Sequence, residues 1–257
     1  MHNHCVVLTC TVNPHTDVAV VRINPEIRLN DYVESITKWH ALSRKLNFRV
    51  LVLENSASID ILKKQLPESI LNSVSFHQCL SDSDSEKKGI SSGEYIMLRE
   101  SIPVLKEMGS VEFCWKVTGR LFVNNFAKLT KSAKREMWVN RFYKPRHITD
   151  TRFFGIPLAM YSEVFSKDID FTSTKYSGET FVLESREFPT MEDFLTRICL
   201  ELEIIGWKVQ SFYQIPIFEG VSASTGKKLD HWEVKIRLKI ANAFRKLAVK
   251  MISGSLP

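Results

Sequence analysis

Short apolar runs alternate with longer amphipathic stretches through the first half of the chain. Residues 5–12 (CVVLTCTV) are apolar and β-branched and stop at Asn13-Pro14, the pattern of a buried strand entering a loop. Asp31 offers a cap for a helix over 32–46, where Val33, Ile36, His40 and Leu46 fall near one face. Residues 49–53 (RVLVL) predict a second buried strand, ended by Glu54-Asn55-Ser56. A helix over 59–71 with a break at Pro67 and a third strand at 74–78 follow. Residues 81–92 (SDSDSEKKGISS) are polar and read as a loop. Residues 93–108 predict a helix with Pro103 inside it, and 111–117 (VEFCWKV) a fourth strand stopping at Thr118-Gly119-Arg120. Strand signals recur at 137–143, 153–160 and 212–218. Phe194, Ile198, Leu202 and Ile205 make one stripe of a helix over 191–205, and 231–251 predict a final helix. This alternation predicts an α/β fold with a mostly parallel sheet, right-handed crossovers and flanking helices.

The remaining properties narrow the class. A chain of 257 residues, 44% hydrophobic and 25% charged, is ample for a buried core and excludes disorder, collagen and a disulfide miniprotein. No linker divides it convincingly. Residues 1–226 read as one domain, and 227–257 as a basic loop and amphipathic helix that either belongs to it or faces a membrane. Cys5, Cys10, Cys79, Cys114 and Cys199 are scattered with no CxxC pair, which points to reduced thiols and a cytoplasmic setting. His2 and His4 lie close to Cys5 and Cys10, yet Cys5 opens an apolar strand and reads as a buried small hydrophobe rather than a metal ligand. No run approaches ~18 apolar residues, so no spanning helix is expected. Nor does the N-terminus have the charged and apolar regions of a secretory signal.

The net charge of +6 and the pI near 9.0 invite a polyanion partner. Residues 227–250 hold eight basic and two acidic side chains, and the other 233 residues carry 27 of each sign. The surplus therefore belongs to one segment, which disfavours a protein that wraps nucleic acid. Val234, Leu238, Ala241, Phe244, Ala248 and Met251 form the apolar stripe of the predicted terminal helix, with Lys and Arg on its other faces. Such a helix either packs on the sheet or lies on the anionic inner face of the cytoplasmic membrane.

In an open parallel sheet, ligands bind beyond the carboxyl ends of the strands. The groups predicted there are Thr9, Thr11 and Asn13, then Glu54 and Asn55, then Lys88, Gly93 and Glu94, then Lys116, Thr118 and Arg120. Glycines before a helix let backbone N–H groups approach a phosphate, and Lys116 and Arg120 supply positive charge for a pyrophosphate. Helix capping and mutual pairing account for the same residue types.

The order LTCTVNP (8–14), RLNDYVESITKW (28–39), VLENS (52–56), KG…GEY (88–95) and KVTGR (116–120) resembles glycosyltransferases of bacterial capsule and lipopolysaccharide O-antigen clusters. The resemblance covers residues 5–160 well, and KVTGR is its most specific part. It implies the GT-A, Rossmann-like fold and a nucleotide-sugar donor, UDP-linked and carrying a galactose-type sugar. The activity would be hexosyl transfer to a glycan or lipid-linked acceptor. It further implies that Thr9, Thr11 and Asn13 line the nucleotide pocket, that Glu54 and Asn55 face the uridine or ribose, and that Lys88, Gly93 and Glu94 approach the donor. Most GT-A enzymes hold Mn²⁺ or Mg²⁺ with Asp-x-Asp after the fourth strand. Here that place reads Lys116-Val117-Thr118-Gly119-Arg120 and has no carboxylate, so the cationic side chains would take over the leaving diphosphate. Asp82-Ser83-Asp84 and Asp168-Ile169-Asp170 follow no convincing buried strand.

Inverting transfer needs a base on the acceptor side. The candidates are Asp150, Glu179, Glu184 and His231, with Arg152 on donor phosphates or an anionic acceptor. His231, with Ser224, Thr225, Lys227 and Lys228, would return over the diphosphate. The competing readings are a basic nucleic-acid-binding protein and a non-catalytic α/β interaction module.

Overall fold

The computed structural model describes residues 1–14, 21–79, 90–131, 136–142, 148–167, 169, 190–222, 226 and 228–229. Its centre is β1 (His4–Cys10), buried along nearly its whole length. A strand covered on both faces has no solvent side, so its sequence shows a continuous apolar run rather than an alternation. Two others resemble it, β2 (Arg49–Glu54) and β4 (Phe113–Thr118), and they pair in parallel with β1 on either side. The strand β3 (Ser75–Gln78) adds in parallel outside β2. Beyond β4 lies β9 (Phe153–Pro157), antiparallel to both β4 and the next strand, β6 (Met137–Val139). Parallel pairing of β10 (Val209–Ser211) with β6 completes the order β10-β6-β9-β4-β1-β2-β3. Two small antiparallel pairs stand apart: β5 (Leu121–Val123) with β11 (Phe218–Gly220), and β7 (Arg141–Phe142) with β8 (Ile148–Thr149). The fold is thus mixed α/β around a mainly parallel sheet, as the alternation predicts, with β9 as the reversed strand.

Helices cover both faces. On one side Val6, Leu8, Val50, Val52, Trp115 and Val117 pack with α1 (Pro25–Leu46), α2 (Ile59–Lys64), α3 (Glu68–Leu71) and α5 (Phe126–Leu129). On the other, Cys5, Val7, Leu51, Leu53 and Cys114 pack with α4 (Ile90–Glu107), α6 (Leu158–Phe165) and α7 (Met191–Ile204). Strand parity therefore decides which layer each side chain meets. Gly155 lies opposite Trp115, and a Cβ there would stand 2.3 Å from the indole, so this glycine makes room for a fully buried tryptophan.

Several boundaries differ from the expectation, among them the loop expected over 81–92, whose last three residues already belong to α4. Helix α1 starts at Pro25, because the Asn24 side chain accepts from Ile27 N (3.1 Å) and proline suits the first helical position. Asp31 is consequently inside the helix, where Arg22 binds it through two hydrogen bonds (2.6 and 2.8 Å). The strand expected over 153–160 turns helical after Pro157. The strand expected over 212–218 is split, with β10 before it and β11 beginning at its end. Between them the Asn125 side chain takes the backbone, donating to Ile215 O (3.1 Å) and accepting from Ile217 N (2.8 Å). Pro216 has no N–H to give a ladder. The predicted helix over 231–251 and most of the loop over 81–92 lie outside the described residues. Among the described residues, no helix is long and apolar enough to cross a membrane.

Candidate functional site

The chain runs from β1 outward to β2 and β3, then returns to β4 on the opposite side of β1. The carboxyl ends of β1 and β4 therefore form a topological switch point, where a crevice opens between diverging connections. Thr9 lies opposite Thr118 there, and Gly119 N donates to Thr9 O (2.9 Å). A Cβ on Gly119 would stand 2.5 Å from Cys10 Sγ and 2.7 Å from Thr9 O, so only glycine lets the strand ends approach this closely.

That approach sets the next residue. Arg120 is 7% exposed, and its Nε and Nη1 have no hydrogen-bond partner among the described residues. Its guanidinium lies 5.9 Å from the Tyr32 ring centre. The Arg28 guanidinium approaches the same ring (5.8 Å), one helical turn away on α1. Arg28 is satisfied, giving hydrogen bonds to Thr11 O (2.7 Å from Nε), Arg22 O (3.2 Å) and Tyr32 Oη (3.1 Å). Burial, and to a lesser extent the Arg120 charge, pull the Arg28 pKa below its ordinary value. Two buried guanidinium groups flank one phenol, and two nitrogens of one of them lack a partner among the described residues, which makes a local positive site suited to an anion. Arg120 also lines a polar cleft of about 260 Å³ with Arg22, Ser35, Lys38, Glu219 and Lys228. Within it Arg22 is held by Asp31, and Lys38 by Glu34 and Glu219.

The loop ends are fixed from inside. Glu54 is fully buried and accepts from Val12 N (3.2 Å), Ser56 N (3.0 Å), Ser58 N (2.8 Å) and the Ser56 hydroxyl. Glu54 thus stands behind the pocket and ties the β1 and β2 loops together, a different task from the ribose contact that the resemblance implies. Asn13 N donates to Ser56 Oγ (2.9 Å), which adds to the same clamp. In front of it, the Thr11 hydroxyl donates to Asn55 Oδ1 (2.7 Å), and a Cβ on Gly93 would stand 3.1 Å from Asn55 Nδ2. Thr11, Asn55 and Gly93 therefore converge at the ends of β1 and β2 beside the first turn of α4.

Parity turns Lys116 to the α4 layer with Cys114. It is fully buried, ion-paired with Glu94, and donates to Thr151 O (2.6 Å) and Thr118 Oγ1 (3.3 Å). The Thr9 hydroxyl donates to the same Glu94 (3.3 Å). Asp150 is 4% exposed and binds Arg152 through two hydrogen bonds of 2.8 Å, with Asn140 Nδ2 at 3.2 Å. Burial works against the Arg152 charge, but the Asp150 carboxylate outweighs it and holds the guanidinium above its ordinary pKa. Arg152 also lies over the Phe218 ring (4.6 Å) and its carbonyl accepts from Thr118 N (3.0 Å). Thr151 donates to Glu192 of α7 (2.8 Å).

The structure thus gathers Thr9, Thr11, Asn55, Gly93, Glu94, Lys116, Thr118, Arg120 and Arg152 around one sheet edge. Asp150 lies there too, but as the partner of Arg152 rather than as an open base. Lys88, Glu179, Glu184 and His231 lie outside the described residues, as do both aspartates of each Asp-x-Asp string. Arg28, Tyr32, Ser56, Thr151 and Glu192 were not foreseen as site residues. An Arg and a Tyr four apart on a helix facing the first strand end were the available signal for the first two. Among the described residues, the donors here do not fit a divalent ion on a diphosphate. Glu94 and Asp150, two carboxylates close to the β4 end, are each paired with a cation, and 116–120 contributes none.

No family model and no curated protein matches the sequence. Solved structures do match over most of the chain. A protein from Desulfovibrio desulfuricans G20, named for nucleotide-diphospho-sugar transferase activity, is 9% identical, covering 82% of this chain and 80% of its own, with a TM-score of 0.48. The inositol-1-phosphate CTP transferase of T. maritima is 14% identical over 92% of this chain and 96% of its own, with a TM-score of 0.48. A Bacillus anthracis protein named for glucose-1-phosphate thymidylyltransferase activity is 11% identical over 95% of each chain, with a TM-score of 0.47. Likenesses at these scores fix no activity and no ligand for this chain.

Proposed function

We propose that the chain is a nucleotide-sugar-dependent glycosyltransferase whose donor diphosphate binds at the β1–β4 switch point. The observation that carries this reading is the buried Arg120 guanidinium with two unpartnered nitrogens at the place where an open α/β sheet binds its ligands. A buried charge without a partner is costly, and an incoming phosphate oxygen supplies the missing acceptor. During transfer an acceptor hydroxyl oxygen bonds to the anomeric carbon and gives up its proton, while the C–O bond to the donor breaks and negative charge grows on the departing diphosphate. Arg120, with Arg28 behind it, stabilises that charge from fixed positions. Thr11 and Asn55 offer polar contacts to the nucleoside, and Gly93 lets it approach the first turn of α4. The Lys116–Glu94 pair holds that turn against β4.

The finer reading is a UDP-linked, galactose-type sugar passed to a growing surface glycan such as capsule or O-antigen. It is supported by the sequence resemblance over residues 5–160. Glu179, Glu184 and His231 remain the candidates for the base, and the basic segment from residue 227 onward suits a lipid-linked acceptor at an anionic membrane.

The test is a thermal-shift screen of UDP-, GDP-, CMP- and dTDP-sugars with and without Mn²⁺, followed by detection of free nucleoside diphosphate with glycan acceptors. A UDP-sugar should raise the melting temperature, and Mn²⁺ should add little to the shift. No shift with any nucleotide would contradict the proposal.

A further inference from the structure

Away from the switch point, three side chains of different chemistry meet where the edge strand β3 faces α4. His77 and Cys79 are two residues apart, so they project to the same side of the strand line. The register supports this: His77 pairs with Leu53, whose side chain packs in the α4 layer, and Cys79 belongs to that same layer. Gln78, between them, is turned away, accepting from Ile59 N (3.2 Å) and donating to Glu54 O (2.7 Å). Cys79 N donates to Glu54 O (2.8 Å), which extends the ladder one residue past β3 and fixes the thiol in place. Glu100, in the middle of α4, faces them. One ligand atom from each of His77, Cys79 and Glu100 lies within 4.8 Å of the other two.

We infer that His77, Cys79 and Glu100 form a binding site for one zinc-class divalent ion, which fastens the edge strand to α4. This inference is independent of the proposed transfer reaction. A sulfur, an imidazole nitrogen and a carboxylate oxygen are a borderline-soft donor set, which favours Zn²⁺ over Mg²⁺ or Ca²⁺. Charge also balances, because one thiolate and one carboxylate neutralise a divalent cation while the imidazole stays neutral. On binding, the metal–sulfur bond forms, the Cys79 S–H bond breaks, and the proton leaves to solvent. Cys79 is buried, whereas His77 and Glu100 are half-buried, so water can complete a four-coordinate shell from the open side.

The experiment is a titration of the full chain, stripped with chelator and kept reduced, with Co²⁺ as an optical substitute for zinc. One Co²⁺ per chain should bind with visible d–d bands of tetrahedral type and a near-ultraviolet thiolate-to-cobalt band, and Zn²⁺ should bleach both. Cys79→Ser should remove the thiolate band while circular dichroism shows an unchanged fold. His77→Ala, at a half-buried side chain, should weaken binding at least about tenfold while circular dichroism shows an unchanged fold. Three results would overturn the inference: no thiolate band in the native protein, a band that survives Cys79→Ser, or unchanged affinity in His77→Ala. The other four cysteines are buried in the core and serve as the internal control.

Discussion

Arg120 and Glu54 are both buried polar groups at strand ends, and their hydrogen bonds assign them opposite tasks. Glu54 is saturated by three backbone N–H groups and a hydroxyl, so it holds structure. Glu54→Gln would turn an amide N–H₂ toward backbone donors. It should cost roughly 2–3 kcal/mol in urea unfolding, with nucleotide affinity falling only through the loosened loops. Arg120 has unpartnered nitrogens, so the free protein bears their desolvation. Arg120→Met keeps the apolar stem and removes the charge. It should stabilise the free protein by about 1 kcal/mol, or roughly 2–4 °C in melting temperature, while erasing any nucleotide-induced shift. A structural arginine would show the reverse. Both residues stood out in the sequence as polar groups ending buried strands. Their directions did not, because facing depends on strand parity and on partners far along the chain. Lys116 illustrates this: it shares parity with Cys114, and that alone turns it under α4 onto Glu94.

At the scale of elements, β1, β2 and β4 were legible because burial on both faces leaves a continuous apolar signature. The direction of β9 was not, since pairing orientation leaves no trace in composition. The early start of α1 was missed because Asn24-Pro25 lies before the apolar periodicity begins. Two predictions belong here. Gly119→Ala forces a Cβ against Cys10 Sγ and Thr9 O. It should therefore part the β1 and β4 ends, lowering both the melting temperature and nucleotide binding. At the opposite end of β1, Trp115 Nε1 donates to His4 Nδ1 (2.9 Å), which requires that nitrogen unprotonated. Burial, partly opposed by Glu112, holds the His4 imidazole below its ordinary 6.5. The unfolded chain then takes up a proton at a higher pH than the folded one. Stability from this group is full above 6.5 and is lost as pH falls toward the folded pKa. Melting temperature should decline from about pH 7 to about pH 5, and His4→Gln should flatten that slope.

For the whole molecule, the sheet order places the turn between outward and returning connections at β1 and β4, and the buried cations gather there. The net charge of +6 is carried in sequence by residues 227–250, so the positive pocket at the switch point is a local product of folding rather than of composition. The account stands on that pocket being an anion site for a nucleoside diphosphate. Calorimetric titration of UDP into the native chain and into Arg120→Met, without divalent metal, tests it most directly. Saturable one-to-one binding to the native chain, weakened at least about tenfold in Arg120→Met, is the predicted result; each tenfold is about 1.4 kcal/mol. Equal affinity in the two proteins, or no binding to the native chain, would contradict it.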